Sequence, residues 1–352
     1  MSRPRIVFCY RYGLLGGVSA QLLNRFPYLS REFDVRIVYE QDHGMVRRFP
    51  AGVAVITPTA DDRRSAIRDA DPDVIVVIDS PNFIEAWRAA SSPGRLVLEV
   101  HTTTANLVYL KHRDQFDQVS HIVTVSSYME KLLGQFGLTG VAPITVVPNC
   151  LDDHWRRVLS PPSLDARPVI WVGKLDSHKR WRTAVDLIDL LSEAPDVAVM
   201  PIFVGGLTAP ESEVRALTAR LGSSPGLARG VWWPGIEYDR MPALYSAVGA
   251  NGGVHLCTST NESFGMAVAE SIVRGCPVVA PAVGALPELL PSVALYEPGD
   301  WRTAREKAHR ALVDTAFRDE LLSSAGQVRR LTDPGRVVDA YRAVIASVLT
   351  SV

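Results

Sequence analysis

The stretch Pro168–Leu191 reads PVIWVGKLDSHKRWRTAVDLIDLL, and its reading sets the fold class of the chain. Val169–Val172 is a short β-branched and aromatic run. Gly173 ends it, and a basic turn leads into Trp181–Leu191, where apolar residues recur at helical spacing. A buried strand, a turn and an amphipathic helix in that order make half of a βαβ unit. The unit repeats downstream. Strand Val199–Val204 precedes helix Glu211–Leu221, Val231–Trp233 precedes Met241–Val248, and Val254–Cys257 precedes Phe264–Arg274, with a further strand at Val278–Ala280. Strands that are apolar on both faces and separated by helices belong to a parallel sheet covered on both sides.

The same alternation fills the chain upstream. Ile6–Tyr10, Val35–Tyr39, Val74–Asp79, Leu96–His101, Ile122–Val125 and Ile144–Val147 read as strands. Val18–Leu29, Asp61–Asp69, Asn82–Ala90 and Ser126–Phe136 read as the helices between them. The pattern breaks after Pro148-Asn149-Cys150 and stays irregular through Pro161, Pro162 and Pro168. The expectation is therefore an α/β chain of two doubly wound domains, residues 1–155 and 156–333, followed by one amphipathic helix over 334–352. Its 352 residues suffice for two cores. Open parallel sheets bind ligands outside the carboxyl ends of their strands, so the site is expected there, in a cleft between the two sheets.

Composition narrows the function. With 37 Lys and Arg against 38 Asp and Glu, the net charge is −1, which argues against a nucleic-acid binder working by bulk charge. The four cysteines (Cys9, Cys150, Cys257 and Cys276) form no C-x-x-C pair, and the eight histidines show no H-x-x-H or H-E-x-x-H spacing, so no zinc site is expected. The apolar run Ile6–Tyr10 is too short for a signal peptide, and the weakly polar stretch Cys276–Tyr296 holds four prolines and Glu288, which rules it out as a spanning helix. A cytoplasmic location follows as the expectation. Arg47-Arg48 and Arg63-Arg64 leave a peripheral contact with the inner membrane face open.

Three motifs follow strands. Gly13-Leu14-Leu15-Gly16-Gly17-Val18 opens the first helix; glycines there admit a phosphate to a helix N-terminus, but the spacing is not the G-x-G-x-x-G of dinucleotide binding. Gly173–Lys179 carries Lys174 and Lys179, two cations five residues apart at a helix start. The helix dipole disfavours cations there, so they point to an anionic ligand such as a diphosphate. The third is Ser259-Thr260-Asn261-Glu262-Ser263-Phe264-Gly265-Met266-Ala267-Val268-Ala269-Glu270. It sets two acids eight apart, with Ser263 as the expected N-cap and Gly275 as the stop. Glu270 stands among Ala267, Val268, Ala269 and Ile272, an unusually apolar setting for a surface acid. Carboxylates suit paired sugar hydroxyls.

Gly16-Gly17-Val18, Gly173…Lys179, Trp233-Pro234-Gly235, Met241-Pro242-Ala243-Leu244-Tyr245, Glu262-x7-Glu270 and Pro277…Gly284…Pro287-Glu288 come in the order seen in GT-B-fold, family-4-type retaining glycosyltransferases, which the chain resembles over most of its length. The resemblance implies an N-terminal acceptor domain, a C-terminal domain for a nucleotide diphosphate sugar, and a terminal helix returning to the first domain. It implies that Glu270 binds the ribose and Glu262 the transferred sugar. Lys174 and Lys179 would hold the diphosphate, helped by amides at Phe264, Gly265 and Met266 and at Gly16 and Gly17. Gly235 and Ile236, with the Val204-Gly205-Gly206 turn, would border the base, and His101 would lie over the sugar. Lysine stands at 174 where the family usually has arginine, and serine at 19 where many members carry glutamate.

The implied chemistry is metal-independent, front-face transfer of a hexose-type sugar to an acceptor hydroxyl, with the two domains closing on the donor. No D-x-D element stands in a loop suited to Mg²⁺ or Mn²⁺. The acceptor is expected near Thr102, Lys111 and Arg113, and its identity is not encoded in any motif; neither is the oligomeric state. Two other readings use the same donor site: a GT-B nucleotide-sugar epimerase or hydrolase, which needs an acid or base aimed at the sugar ring, and a catalytically silent nucleotide-sugar-binding subunit, which has no use for both glutamates and both lysines.

Overall fold

The computed structural model describes residues 3–350 apart from 93 and 104, with backbone only at 105 and 106. The chain divides into two compact units. One runs up to Asp152 and takes in the segment from Leu331 onward; the other is Asp153–Arg330.

The first unit is a parallel sheet of β1 (Arg5–Gly13), β2 (Asp34–Asp42), β3 (Ala54–Ile56), β4 (Val74–Ile78), β5 (Arg95–Val100), β6 (Val119–Thr124) and β7 (Ile144–Val146), in the order β3-β2-β1-β4-β5-β6-β7. All five residues of β4 are buried, as a central strand with both faces covered requires. The strand order reverses between β1 and β4, which makes the carboxyl ends of those two strands the switch point.

β1 outruns its sequence pattern. The apolar run stops at Tyr10, where pairing with β4 also stops, but pairing with β2 continues through Tyr12 opposite Gln41 and Gly13 opposite Asp42. Backbone hydrogen bonds, not apolar periodicity, carry the strand past Arg11. The edge strand β3 gave no sequence signal either: it is three residues long, and two of them, Val55 and Ile56, are exposed.

The terminal helix, Pro334–Thr350, buries Val337, Val338, Tyr341, Val344, Ile345 and Val348 at three- and four-residue spacing. That stripe joins the core made by Ile6, Phe8, Val76, Ile78 and Val123 of the first sheet and Leu22 and Leu29 of helix Gly17–Leu29. Ser351 and Val352 lie outside the described residues.

The second unit holds β8 (Arg167–Val172), β9 (Val199–Val204), β10 (Val231–Trp233), β11 (Val254–Leu256), β12 (Val278–Pro281) and β13 (Leu295–Tyr296), in the order β10-β9-β8-β11-β12-β13. Every pairing is parallel. The switch point here lies between β8 and β11, and these strands lead into Gly173–Lys179 and Thr258–Glu262. Helices Trp301–Val313, Thr315–Leu321 and Ala325–Leu331, which the periodicity reading passed over, complete the unit. Asp300 and Asp314 cap the first two by accepting from the amides of Thr303 and Phe317.

No helix among the described residues is long and apolar enough to cross a membrane. Of the two arginine pairs, Arg63 turns inward, mostly buried against Glu40 at 3.7 Å, and Arg64 pairs with Asp61.

Candidate active site

Two glycines shape the second unit's switch point. Gly205 has φ +126, and a Cβ on it would stand 1.8 Å from the Gly173 carbonyl oxygen, so the turns after β8 and β9 can touch only through glycine. Gly284 has φ +56, and a Cβ there would meet the Glu262 carbonyl oxygen at 2.1 Å. The Ala285 amide donates to that carbonyl at 2.8 Å, clamping the Glu262 loop against the turn after β12.

Lys179 and Glu262 form an ion pair across this point, and the Ser259 hydroxyl donates to the same carboxylate oxygen at 2.7 Å. Behind them Thr258 donates to the Lys179 carbonyl at 2.8 Å and accepts from the Trp171 indole at 3.1 Å, which ties the two loops together. Burial works to raise the Glu262 pKa, and Lys179 and Ser259 outweigh it, holding the carboxyl below its usual range. Burial likewise opposes charge on Lys179, and Glu262 overcomes it. Both therefore stand ionised, yet side-chain exposures of 22% and 13% leave them within reach of a ligand. Lys174 is exposed on the same turn.

Helix Met266–Val273 starts later than the sequence suggests. Its N-cap is Gly265 at φ +91, not Ser263, and no side chain caps it. Phe264 and Gly265 are buried and Met266 half-buried. An uncapped helix start just past the loop that Lys179 holds through Glu262 is an anion-binding arrangement. The helix ends as expected at Gly275, φ +74.

Glu270, on the same helix, is 5% exposed and accepts from the Tyr238 hydroxyl at 3.2 Å. Burial pushes its pKa up to about 8 against the opposing pull of Tyr238, so at neutral pH it is a protonated carboxyl. Tyr238 was not legible as its partner, being 32 residues away in sequence. His255 was also missed: it is buried, pushed down to about 3 by burial and by Lys179, and its Nδ1 lies 2.7 Å from the Ser271 hydroxyl beneath the helix. Gly235 is exposed and Ile236 half-buried, and Gly235 stands beside the exposed Leu207.

In the first unit Gly16 is the N-cap of its helix at φ −165, extended backbone that any residue adopts, and a Cβ on it would meet nothing closer than 4.0 Å. Neither conformation nor crowding demands glycine there; it leaves open space over a helix start that no side chain caps. Gly17 is exposed, and Ser19 is fully buried.

His101, at the end of β5, is 5% exposed. Its Nε2 lies 2.7 Å from Glu99, and its amide donates to the Asp79 carboxylate at 3.1 and 3.2 Å. Asp79 follows β4 at φ +45, and burial pushes its pKa up to about 6 despite His101. It borders a cavity of about 500 Å³ at the β1–β4 switch point, lined also by Arg11, Asn82, Glu85, Tyr109 and His112. Of the basic run, only His112 reaches this cavity. Lys111 and Arg113 are exposed and outside its lining, and the half-buried Thr102 is outside it too; Arg113 lies against Gly137 instead. Thr104, in the same loop, lies outside the described residues. Arg11 was passed over because it reads as the end of a strand.

No group of three or more His, Cys, Asp and Glu side chains gathers to hold a metal among the described residues.

Residues 16–155 match the model of Glycosyltransferase Family 4, and residues 166–314 match that of Glycosyl transferases group 1. A D-inositol 3-phosphate glycosyltransferase of Nocardioides sp. is 29% identical over 209 residues, 53% of this chain and 44% of that protein. A protein of the same name from Acidothermus cellulolyticus is 31% identical over 199 residues, 54% of this chain and 39% of that protein. The chain thus spans less than half the length of the curated relatives it matches. Among solved structures, Anabaena HepE in complex with UDP and glucose superposes with a TM-score of 0.80 at 17% identity, over 98% of this chain and 100% of HepE. The HepE complex with UDP-glucose gives 0.81 at 18% identity, over 97% and 99%. Sucrose-phosphate synthase from Thermosynechococcus elongatus gives 0.74 at 16% identity, over 98% and 100%. The two parallel-sheet units are those of the GT-B fold.

Proposed function

Because this chain belongs to the GT-B glycosyltransferases, a family 4 domain followed by a group 1 domain, we propose that it moves a hexose-type sugar from a nucleotide diphosphate sugar to an acceptor hydroxyl with retention at the anomeric carbon. The observation that carries the reading is the Lys179–Glu262 pair beside an uncapped helix start, with the buried Glu270 on the same helix. Lys174, Lys179 and the amides of Gly265 and Met266 meet the diphosphate. Glu262 takes hydroxyls of the sugar and Glu270 the ribose diol. The HepE complexes with UDP and UDP-glucose support a uridine donor as the first to try.

In the proposed reaction the bond between the anomeric carbon and the diphosphate oxygen breaks, and the nucleoside diphosphate leaves with the electron pair. The acceptor oxygen bonds to that carbon on the face just vacated, and its proton passes to the leaving phosphate oxygen. Negative charge grows on the diphosphate as the bond breaks. Cations and amides already fixed in place stabilise it without reorganising, which is the role a divalent metal fills in other transferases. The route needs no pair of carboxylates flanking the bond, unlike glycoside hydrolysis. The cavity at Asp79, Asn82, Glu85 and His112 seats the acceptor through hydrogen bonds, and His101 contacts the transferred sugar.

Thermal unfolding with UDP, GDP, ADP, dTDP and CDP, each with and without EDTA, tests the donor site. A ligand at a hundredfold its dissociation constant stabilises by about 2.7 kcal/mol. One clear shift that survives EDTA is the expected result. No shift with any of the five overturns the donor assignment, and a shift abolished by EDTA overturns metal independence.

A further inference from the structure

Beneath His101 lies a buried cluster from four separate elements of the first unit. Arg25, on helix Gly17–Leu29, grips Glu99 of β5 with both ends of its fork, Nη1 to Oε1 at 2.8 Å and Nη2 to Oε2 at 3.0 Å. Each side chain is 1% exposed. The guanidinium lies 4.7 Å from the ring centroids of both Phe8 of β1 and Tyr341 of the terminal helix, and those two rings pack on each other at 5.9 Å. The Tyr341 hydroxyl donates to Glu99 Oε2 at 3.0 Å. His101 Nε2 completes the cluster at Glu99 Oε1.

An apolar core does not need a fixed ion pair; replacing one by packed hydrocarbon is often neutral or stabilising. What this pair does locally is set by the protonation state of Glu99. Burial raises its pKa, but Arg25 and His101 outweigh burial and bring it down to about 2, so the carboxyl is an obligate acceptor. A carboxylate 2.7 Å from Nε2 requires a proton on that nitrogen. In the neutral ring the bare nitrogen is then Nδ1. On the other side of the residue, Asp79 holds the His101 amide. Glu99 and Asp79 contact His101 directly, and Arg25 and Tyr341 meet it through Glu99.

We infer that Glu99, clamped by Arg25 and Tyr341, is a positioning residue that locks His101 in one orientation and in its Nε2–H tautomer, presenting Nδ1 as an acceptor, so that the terminal helix helps to build the site. The value of this lock to transfer rests on the proposed contact between His101 and the sugar; the lock itself does not.

Long-range proton–nitrogen spectra of the histidine rings at pH 8.5 read the tautomer directly, with the His101 signal identified by its absence in His101→Asn. The expected signal is a single Nε2–H ring. An Nδ1–H ring, a rapid mixture of the two, or a ring protonated on both nitrogens overturns the inference. In Glu99→Gln, whose amide can donate as well as accept, the tautomers should mix. UDP release from UDP-glucose should fall roughly 10- to 100-fold, the usual cost of losing an orienting partner, with donor KM within about twofold. A Glu99→Gln ring that stays Nε2–H overturns the assignment to Glu99. If that variant does not fold, the wild-type spectrum alone still decides. A locked Nε2–H ring together with full turnover in His101→Ala removes His101 from transfer and leaves the lock standing.

Discussion

Each unit sets a basic side chain against a glutamate near or just past the carboxyl end of a strand, Glu99 within β5 and Glu262 after β11, and the two pairs differ in every respect that matters for ligand binding. Arg25–Glu99 is bidentate and 1% exposed, with hydrogen bonds to both carboxylate oxygens. Lys179–Glu262 is a single contact at a partly open position beside an uncapped helix. A guanidinium fork uses its geometry up on one partner, whereas an ammonium is a point charge that can turn to a second one. The first pair is built to stay made. The second leaves its charges within reach of a ligand while each compensates the other.

The largest expected effect breaks the first pair. Arg25→Ala leaves Glu99 buried without its countercharge and should cost about 3–5 kcal/mol of unfolding free energy, measured by denaturant titration; a loss under about 1 kcal/mol would refute the structural role. Next comes Lys179→Ala. It should lower turnover roughly 10²- to 10³-fold, the usual cost of removing one preorganised charge-stabilising donor, while the unfolding midpoint stays near that of the parent. Should Lys179→Ala instead unfold the protein with turnover per folded molecule intact, the contrast between the two pairs would collapse.

A third test exploits Glu270. Its folded pKa of about 8 lies above the unfolded value of 4.5, so its contribution to stability is full below pH 4.5 and is lost as pH rises through 8. Glu270→Gln removes that dependence. Between pH 6 and pH 9 the wild type should lose about 3 kcal/mol relative to the variant, read as diverging unfolding curves; parallel curves would place the carboxyl in contact with water. The smallest effect belongs to Lys174→Ala. Exposed charges are weakly coupled, so about a tenfold rise in the Kd for UDP is expected by calorimetry, well short of the Lys179 variant. Equal losses at the two lysines would show that exposure does not rank them.

Local pattern made much of this legible. The strand–turn–helix units and the two acids eight apart are statements about neighbouring residues, and so was the stop at Gly275. Departures arose wherever the deciding partner was distant in sequence. Pairing with β2 carried β1 through Arg11, and so brought that residue to the cavity. Gly265 displaced Ser263 as the cap because the backbone turns left-handed there, packed close to Leu286. The acceptor was expected near Thr102, Lys111 and Arg113, yet of these and their neighbour His112 only the histidine lines the cavity.

The sequence by itself determined the two-sheet α/β class and the break near residue 150, and it singled out Lys179, Glu262 and Glu270 as candidates, because hydrophobic period and motif spacing are local quantities. Only the tertiary structure decided that Glu270 is a neutral acid, that Glu262 is a charged one, and that Tyr341, 242 residues from Glu99, shares a carboxylate with His101. Protonation state depends on desolvation and on countercharges brought together through space, and neither exists until the chain has folded.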